Sequence, residues 1–149
     1  LENISFVANP GEVIGIIGTT GAGKSTLVSL IPRLYDATYV EVLIDDINVK
    51  DYDVNVLRKS ISMVLQETIL FTGSLKENIA WGNEEASMDE IIQAARAAQA
   101  HDFIMSFEKG YDTDVSERGV NLSGGQKQRI SIARAILKKP KILILDDCT

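Results

Sequence analysis

The chain has 149 residues, 45% of them hydrophobic, and a formal net charge of −6, which is enough for one packed domain. The acidic balance, with no Lys/Arg run to track a phosphate backbone, excludes nucleic acid as the main ligand. No stretch approaches the roughly 20 apolar residues that cross a bilayer, the start does not read as a signal peptide, and the single cysteine, Cys148, cannot form an internal disulfide.

Residues 2–8 alternate as a strand, and VIGII (13–17) is a short apolar run that reads as a buried strand. GTTGAGKST (18–26) follows it, and KSTLVSLIPRL (24–34) has the helical spacing of Leu27, Leu30, Ile31 and Leu34. The glycines therefore sit in a strand-to-helix turn. Gly18, Gly21 and Gly23 let the backbone bend tightly with its N–H groups converging, which suits a polyphosphate at the positive end of a helix. The pattern G-x-x-x-x-G-K-[ST] makes Thr20, Gly21, Ala22, Gly23, Lys24, Ser25 and Thr26 the nucleotide-binding set. Lys24 is expected to reach the β- and γ-phosphates and Ser25 to hold Mg²⁺.

Further strands are expected at 40–44 and 61–65, and residues 88–107 read as mostly helical with Ala-rich spacing. Strands and helices alternate towards the ends while the middle is helical, which predicts an α/β core with an inserted helical subdomain. Ile91, Ile92, Phe103 and Ile104 are expected to pack, as is Trp81, and His101 is expected to be structural or solvent-facing. ILIL (142–145), set off by Pro140, ends in Asp146 and Asp147. Asp146 would steady Mg²⁺ through its water shell, and Asp147 would face the water that attacks the γ-phosphate. In LSGGQKQR (122–129), Ser123 can cap a helix running to about Lys138, and Gly124 and Gly125 expose its first amides.

LSGGQKQR followed by ISIARAILKKPKILILDD resembles the signature helix and Walker B strand of ATP-binding cassette (ABC) proteins, specifically a multidrug exporter half-transporter with a degenerate Walker B. The resemblance implies an α/β fold: a P-loop NTPase core with an inserted helical subdomain, truncated at both ends. Its RecA-like parts would be about 1–66 and 130–149, and its helical subdomain about 70–129. It implies that Ser123, Gly124, Gly125 and Gln126 close on the γ-phosphate of ATP held by a second cassette, in a homo- or heterodimer with the heterodimer favoured. Gln66, in MVLQETILF, looks like the glutamine that contacts Mg²⁺ and attacking water while linking the core to a transmembrane partner. GSLKENIAWG (73–82) and 98–113 resemble an exporter's helical subdomain, and TDVSERG (113–119) the exporter loop before the signature.

The implied function is ATP hydrolysis that powers export through an associated transmembrane domain, at the cytoplasmic face of a membrane, with Mg²⁺ accompanying ATP. A slowly hydrolysing regulatory half of a heterodimeric exporter is one alternative, and a soluble non-transport ABC ATPase is another. The adenine-stacking aromatic residue and the switch histidine of the family are expected outside the chain. Four positions depart from the family. Asp147 stands where most members carry Glu, and with Gln66 and Lys24 it forms the expected catalytic set; its shorter side chain predicts slow hydrolysis. Val40 and Asp46 stand where the family often has glycine, and so does Ser116 before the signature.

Overall fold

A computed structural model describes residues 4–38 and 40–146, and these divide into two compact units, 1–58 and 59–149. In the first, helix α1 (Lys24–Ser29) follows the glycine turn. It is shorter than the spacing predicts, because Pro32 removes an amide donor and disfavours the helical conformation just before it, and Arg33 turns left-handed at φ 52°. A hairpin of β1 (Leu43–Ile44) and β2 (Ile47–Asn48) comes next, then α2 (Val54–Ser60), within which the unit ends.

The hairpin turn is Asp45-Asp46, with φ 51° and 61°. Two left-handed residues in a two-residue loop match the turn whose twist suits a hairpin, and glycine is favoured at the second position. Asp46→Gly is therefore expected to stabilise the chain by about 0.5–1 kcal/mol, read as a rise in the denaturation midpoint.

The predicted strand at 13–17 does not form, and residues 4–8 are not in a strand either. Val13 and Ile17 are 97% and 98% exposed. A strand exists only with a partner for its ladder, and among the described residues none pairs with this run. The expected strand at 40–44 is reduced to β1.

The second unit is built on two parallel strands, β3 (Ile61–Val64) and β6 (Ile142–Leu145), in register from Ile61↔Ile142 to Val64↔Leu145. Parallel neighbours require a long crossover. Here it holds β4 (Gly73–Ser74), α3 (Leu75–Ala80), α4 (Met88–Ala97), α5 (His101–Met105), β5 (Asp114–Val115) and α6 (Gly124–Leu137). Helix α6 is the centre of this unit: Ile130, Ala133 and Leu137 meet Leu75 and Ile79 of α3 and Ile91 of α4 in one buried cluster. Gly82 lies against the Arg134 carbonyl of α6, with no room for a Cβ. The predicted helix over 88–107 is broken at Gln99, which is left-handed at φ 55°. The Ala100 amide donates to the Ala95 carbonyl and the Gln99 amide to Arg96, the paired bonds of a Schellman stop. Ile91 and Ile104 are buried and Ile92 and Phe103 partly so, as their spacing predicts.

Ser74, Ser87 and Ser123 each close a capping box, with Glu77, Glu90 and Gln126 respectively. The Ser87 box is tied to the far end of α6: Lys139 Nζ donates to Glu90 at 2.7 Å. That bond, with those from Ser87, lowers the Glu90 carboxyl from 4.5 to about 2. A lowered folded pKa gives stability that is complete above the unfolded value and disappears as pH falls towards the folded one. Thermal melts from pH 6 down to pH 2 should therefore show wild type above Glu90→Gln at pH 6, with the difference closing between about pH 4.5 and 2.

Candidate functional site

The first unit carries the glycine cradle. Gly21 and Gly23 have φ of 81° and 89°, which a side chain would strain, and a Cβ on Gly18 would meet the Ala22 Cβ at 3.1 Å. The Ala22 amide donates to the Thr19 carbonyl at 3.1 Å and closes the turn. Gly23 caps α1 without a side-chain bond, so the helix's first amides keep their donors. Lys24 Nζ folds back to the Gly18 carbonyl at 3.0 Å and the Thr19 carbonyl at 3.4 Å, which holds the ammonium over the loop. Ser25 and Thr26 lie on the first turn, Ser25 exposed and Thr26 likewise open to solvent. All seven nucleotide-binding residues named from the sequence fall in this one turn and helix start.

The second unit carries two further groups. Gln66 and Asp146 leave the β3–β6 ladder at the same end, the carboxyl end of both strands, where parallel sheets place ligand contacts. The Asp146 amide donates to the Val64 carbonyl at 2.9 Å, so its backbone is held to the neighbouring strand. Gln66 is exposed and Asp146 half-buried. Asp147 lies outside the described residues.

At the start of α6, Ser123 caps the helix: its hydroxyl accepts from the Gln126 amide, and the Gln126 side chain accepts from the Ser123 amide at 2.9 Å. A Cβ built on Gly124 meets nothing within 4 Å, and one on Gly125 meets only the Arg129 guanidinium at 4.0 Å. Neither glycine has a positive φ. Nothing within the described chain therefore demands glycine at either position, and the turn is open to a surface from outside. At the other end of α6, Lys138 Nζ donates to the Ile61 carbonyl of β3 at 2.7 Å, and burial lowers that lysine's pKa. The 14-residue helix thus holds the Ser-Gly-Gly turn about 20 Å from the helix end that packs on β3.

Sequence reasoning missed a network between α6 and α3. Arg134 donates to the Asn78 backbone carbonyl at 2.7 Å, the Asn78 side-chain oxygen at 3.2 Å and the Ile69 carbonyl at 3.2 Å, and its guanidinium sits over the Phe71 ring. Burial lowers its pKa. Phe71 stacks on Trp81 at 4.1 Å, so Trp81 packs as expected on one face, yet it remains 57% exposed. Together with Leu65 and Ile69 these rings line a groove of about 310 Å³ beside Gln66. No periodicity announces this groove; the one available clue is the aromatic pair at Phe71 and Trp81, one on either side of helix α3. His101 is structural, with Nδ1 2.9 Å from the Tyr111 hydroxyl.

A P-loop cradle, a carboxylate at a strand end and an open LSGGQ turn on one chain limit the possible families to very few. The family model described as ABC transporter matches residues 1–149. The chain belongs to the ABC transporter family. This cassette is 56% identical over its whole length to a putative multidrug export ATP-binding/permease protein, YgaD, of Bacillus subtilis, covering 26% of that protein. It is 57% identical to an uncharacterized ABC transporter ATP-binding protein, YfiB, of the same organism, again over all of the cassette and 26% of the relative. The solved structure of a bacterial Atm1-family ABC exporter with ATP bound is 43% identical, with a TM-score of 0.83 over 88% of the cassette and 23% of that chain. The cassette thus spans about a quarter of the length of these curated relatives. Among its described residues no helix is long and apolar enough to cross a membrane.

Proposed function

We propose that this cassette binds and hydrolyses ATP to power export through an associated transmembrane domain, at the cytoplasmic face of a membrane. The observation that carries this reading is the Ser123–Gln126 turn. It is capped from within and open on the outside, and among the described residues its two glycines have no role in packing. Such a turn suits the γ-phosphate of ATP brought by a second cassette, because its amides and helix end supply donors and positive potential. RecA-like parts at about 1–66 and 130–149 with a helical subdomain at about 70–129 complete the proposal.

In the cassette's own site, Lys24 is already aimed across the loop, and phosphate oxygens would replace the two neutral carbonyls it now contacts. Mg²⁺ takes hard oxygen donors while keeping water and phosphate ligands. The Ser25 hydroxyl and the Asp146 carboxylate fit that donor set, with Gln66 beside Asp146 on the same sheet end. Catalysis in this design is positioning and charge stabilisation, and Asp147 is the residue assigned to the attacking water. The exposed apolar groove beside Gln66 supports docking of the transmembrane partner there. The relatives' names as export proteins favour this reading over a soluble non-transport ATPase.

A second reading has one residue in its favour. Asp147 in place of Glu supports a slowly hydrolysing half that regulates a partner, and hence a heterodimer. Calorimetry tests the primary reading: Mg-ATP should bind the full-length protein, and Lys24→Ala should weaken binding roughly ten- to a hundredfold, the value of one charge-assisted contact. Equal binding by the variant would refute the cradle assignment.

A further inference from the structure

We propose that Asn121 is a positioning residue for the signature turn, and that Ser116 acts through it as a second tether; the proposal rests on the reading of Ser123–Gln126 given above. The Asn121 side chain bonds backwards to one short segment. Its Oδ1 accepts from the Ser116 amide at 3.2 Å and the Ser116 hydroxyl at 2.9 Å, and its Nδ2 donates to the Asp114 carbonyl at 2.9 Å. Asp114 belongs to β5, which pairs with β4 through Ser74↔Asp114. Ser74 is in turn the capping residue of α3. Asn121 therefore fastens the residue two before the α6 cap to a ladder whose other strand opens the next helix.

The loop it closes needs such a fastening. Arg118 and Gly119 are consecutive left-handed residues at φ 53° and 63°, so between Ser116 and Asn121 the chain reverses on two conformations that cost energy or give little stiffness. The other backbone bonds across it are local, from the Gly119 amide to Ser116, the Val120 amide to Glu117 and the Leu122 amide to Gly119. Lys127 Nζ holds the Arg118 carbonyl at 3.0 Å, which ties this same loop forward to the first turns of α6, and Arg129 holds the Gln99 carbonyl at 3.1 Å, which braces the helix body. Asn121 adds the tether back to β5, on the side that neither of those bonds reaches. The bonds are exposed, so water competes for them and their removal costs little stability. What they set is the direction in which the Ser123–Gly125 amides face. Ser116 matters because the family often has glycine there, and glycine would keep the amide bond to Asn121 and lose the hydroxyl one.

The test is steady-state Mg-ATP turnover by the assembled full-length transporter carrying Asn121→Ala, Ser116→Gly or both, with Tm measured on the same samples. Loss of a brace that positions reacting groups by about 1 Å can cost up to a hundredfold. For a turn still held on its far side, we expect kcat to fall about tenfold in Asn121→Ala, with KM for Mg-ATP and Tm unchanged. Ser116→Gly should lower kcat about threefold, the value of one exposed hydrogen bond. The double variant should match Asn121→Ala alone, because Ser116 acts through it. Unchanged kcat in Asn121→Ala, a parallel loss of Tm, or multiplied effects in the double variant would each overturn the proposal. A wild type whose turnover is absent, or unaffected by Lys24→Ala, overturns the ATPase reading itself and this proposal with it.

Discussion

Asp147→Glu is expected to raise hydrolysis at the site built on this cassette's Lys24 by on the order of a hundredfold. The reasoning starts from the strand. The Asp146 amide is bonded to the Val64 carbonyl, so the chain enters position 147 from a backbone fixed at the sheet end. In the proposed site, the carboxylate at position 147 serves the attacking water, so its length matters. Aspartate is shorter than glutamate by one methylene, about 1.5 Å, and a misplacement of about 1 Å near the chemistry costs on the order of a hundredfold. The change belongs in kcat, because the ATP contacts proposed above lie chiefly in the glycine cradle. It is measured in the assembled transporter with the partner cassette's own P-loop lysine replaced, so that only this site is read. Equal rates for the wild type and the Asp147→Glu variant would mean that the carboxylate's reach does not limit hydrolysis, and the regulatory reading would lose its support.

Asn78→Ala should lower stability by about 3 kcal/mol and the melting temperature by about 10 °C. Asn78 is 1% exposed. Its Oδ1 accepts from the Phe71 amide at 2.9 Å and from Arg134, while its Nδ2 donates to the Phe71 carbonyl at 2.8 Å and the Ser74 carbonyl at 3.1 Å. Alanine would remove all four bonds, leave the Phe71 peptide groups without that partner and open a small void. Asn78→Asp should be destabilising as well, since an ionised carboxylate accepts but cannot donate to the two carbonyls. Differential scanning calorimetry of both variants checks this. A melt within about 2 °C of wild type would show that water replaces the side chain.

Much of the site could be read from the sequence because its parts are local. The glycine cradle, the Ser123 cap, the extent of α6 and the β6 strand ending in Asp146 are each specified by a few adjacent residues, and each stands where the pattern put it. The Ser74 and Ser87 caps follow the same S-x-x-E logic and are equally local. What failed was non-local. VIGII has the composition of a buried strand, but composition does not supply the neighbouring strand that makes a ladder. The Asn78–Arg134 bonds join residues 56 apart, and a lone Asn followed much later by an Arg carries no signal of their meeting. The Ser116–Asn121 tether spans five residues and still escapes a reading of the sequence, because its geometry depends on two left-handed residues between them.

The exposed run at 13–17 also governs how this polypeptide behaves at concentration. Its β-branched side chains, and amides that pair with no strand among the described residues, offer any passing chain an edge to extend, and no charge or proline within the run blocks the approach. Copies in close company are expected to recruit one another into intermolecular sheets. The solubility of a preparation is thus a report on whether that segment has been given a strand to lie beside, independently of how well the α6 cluster has folded.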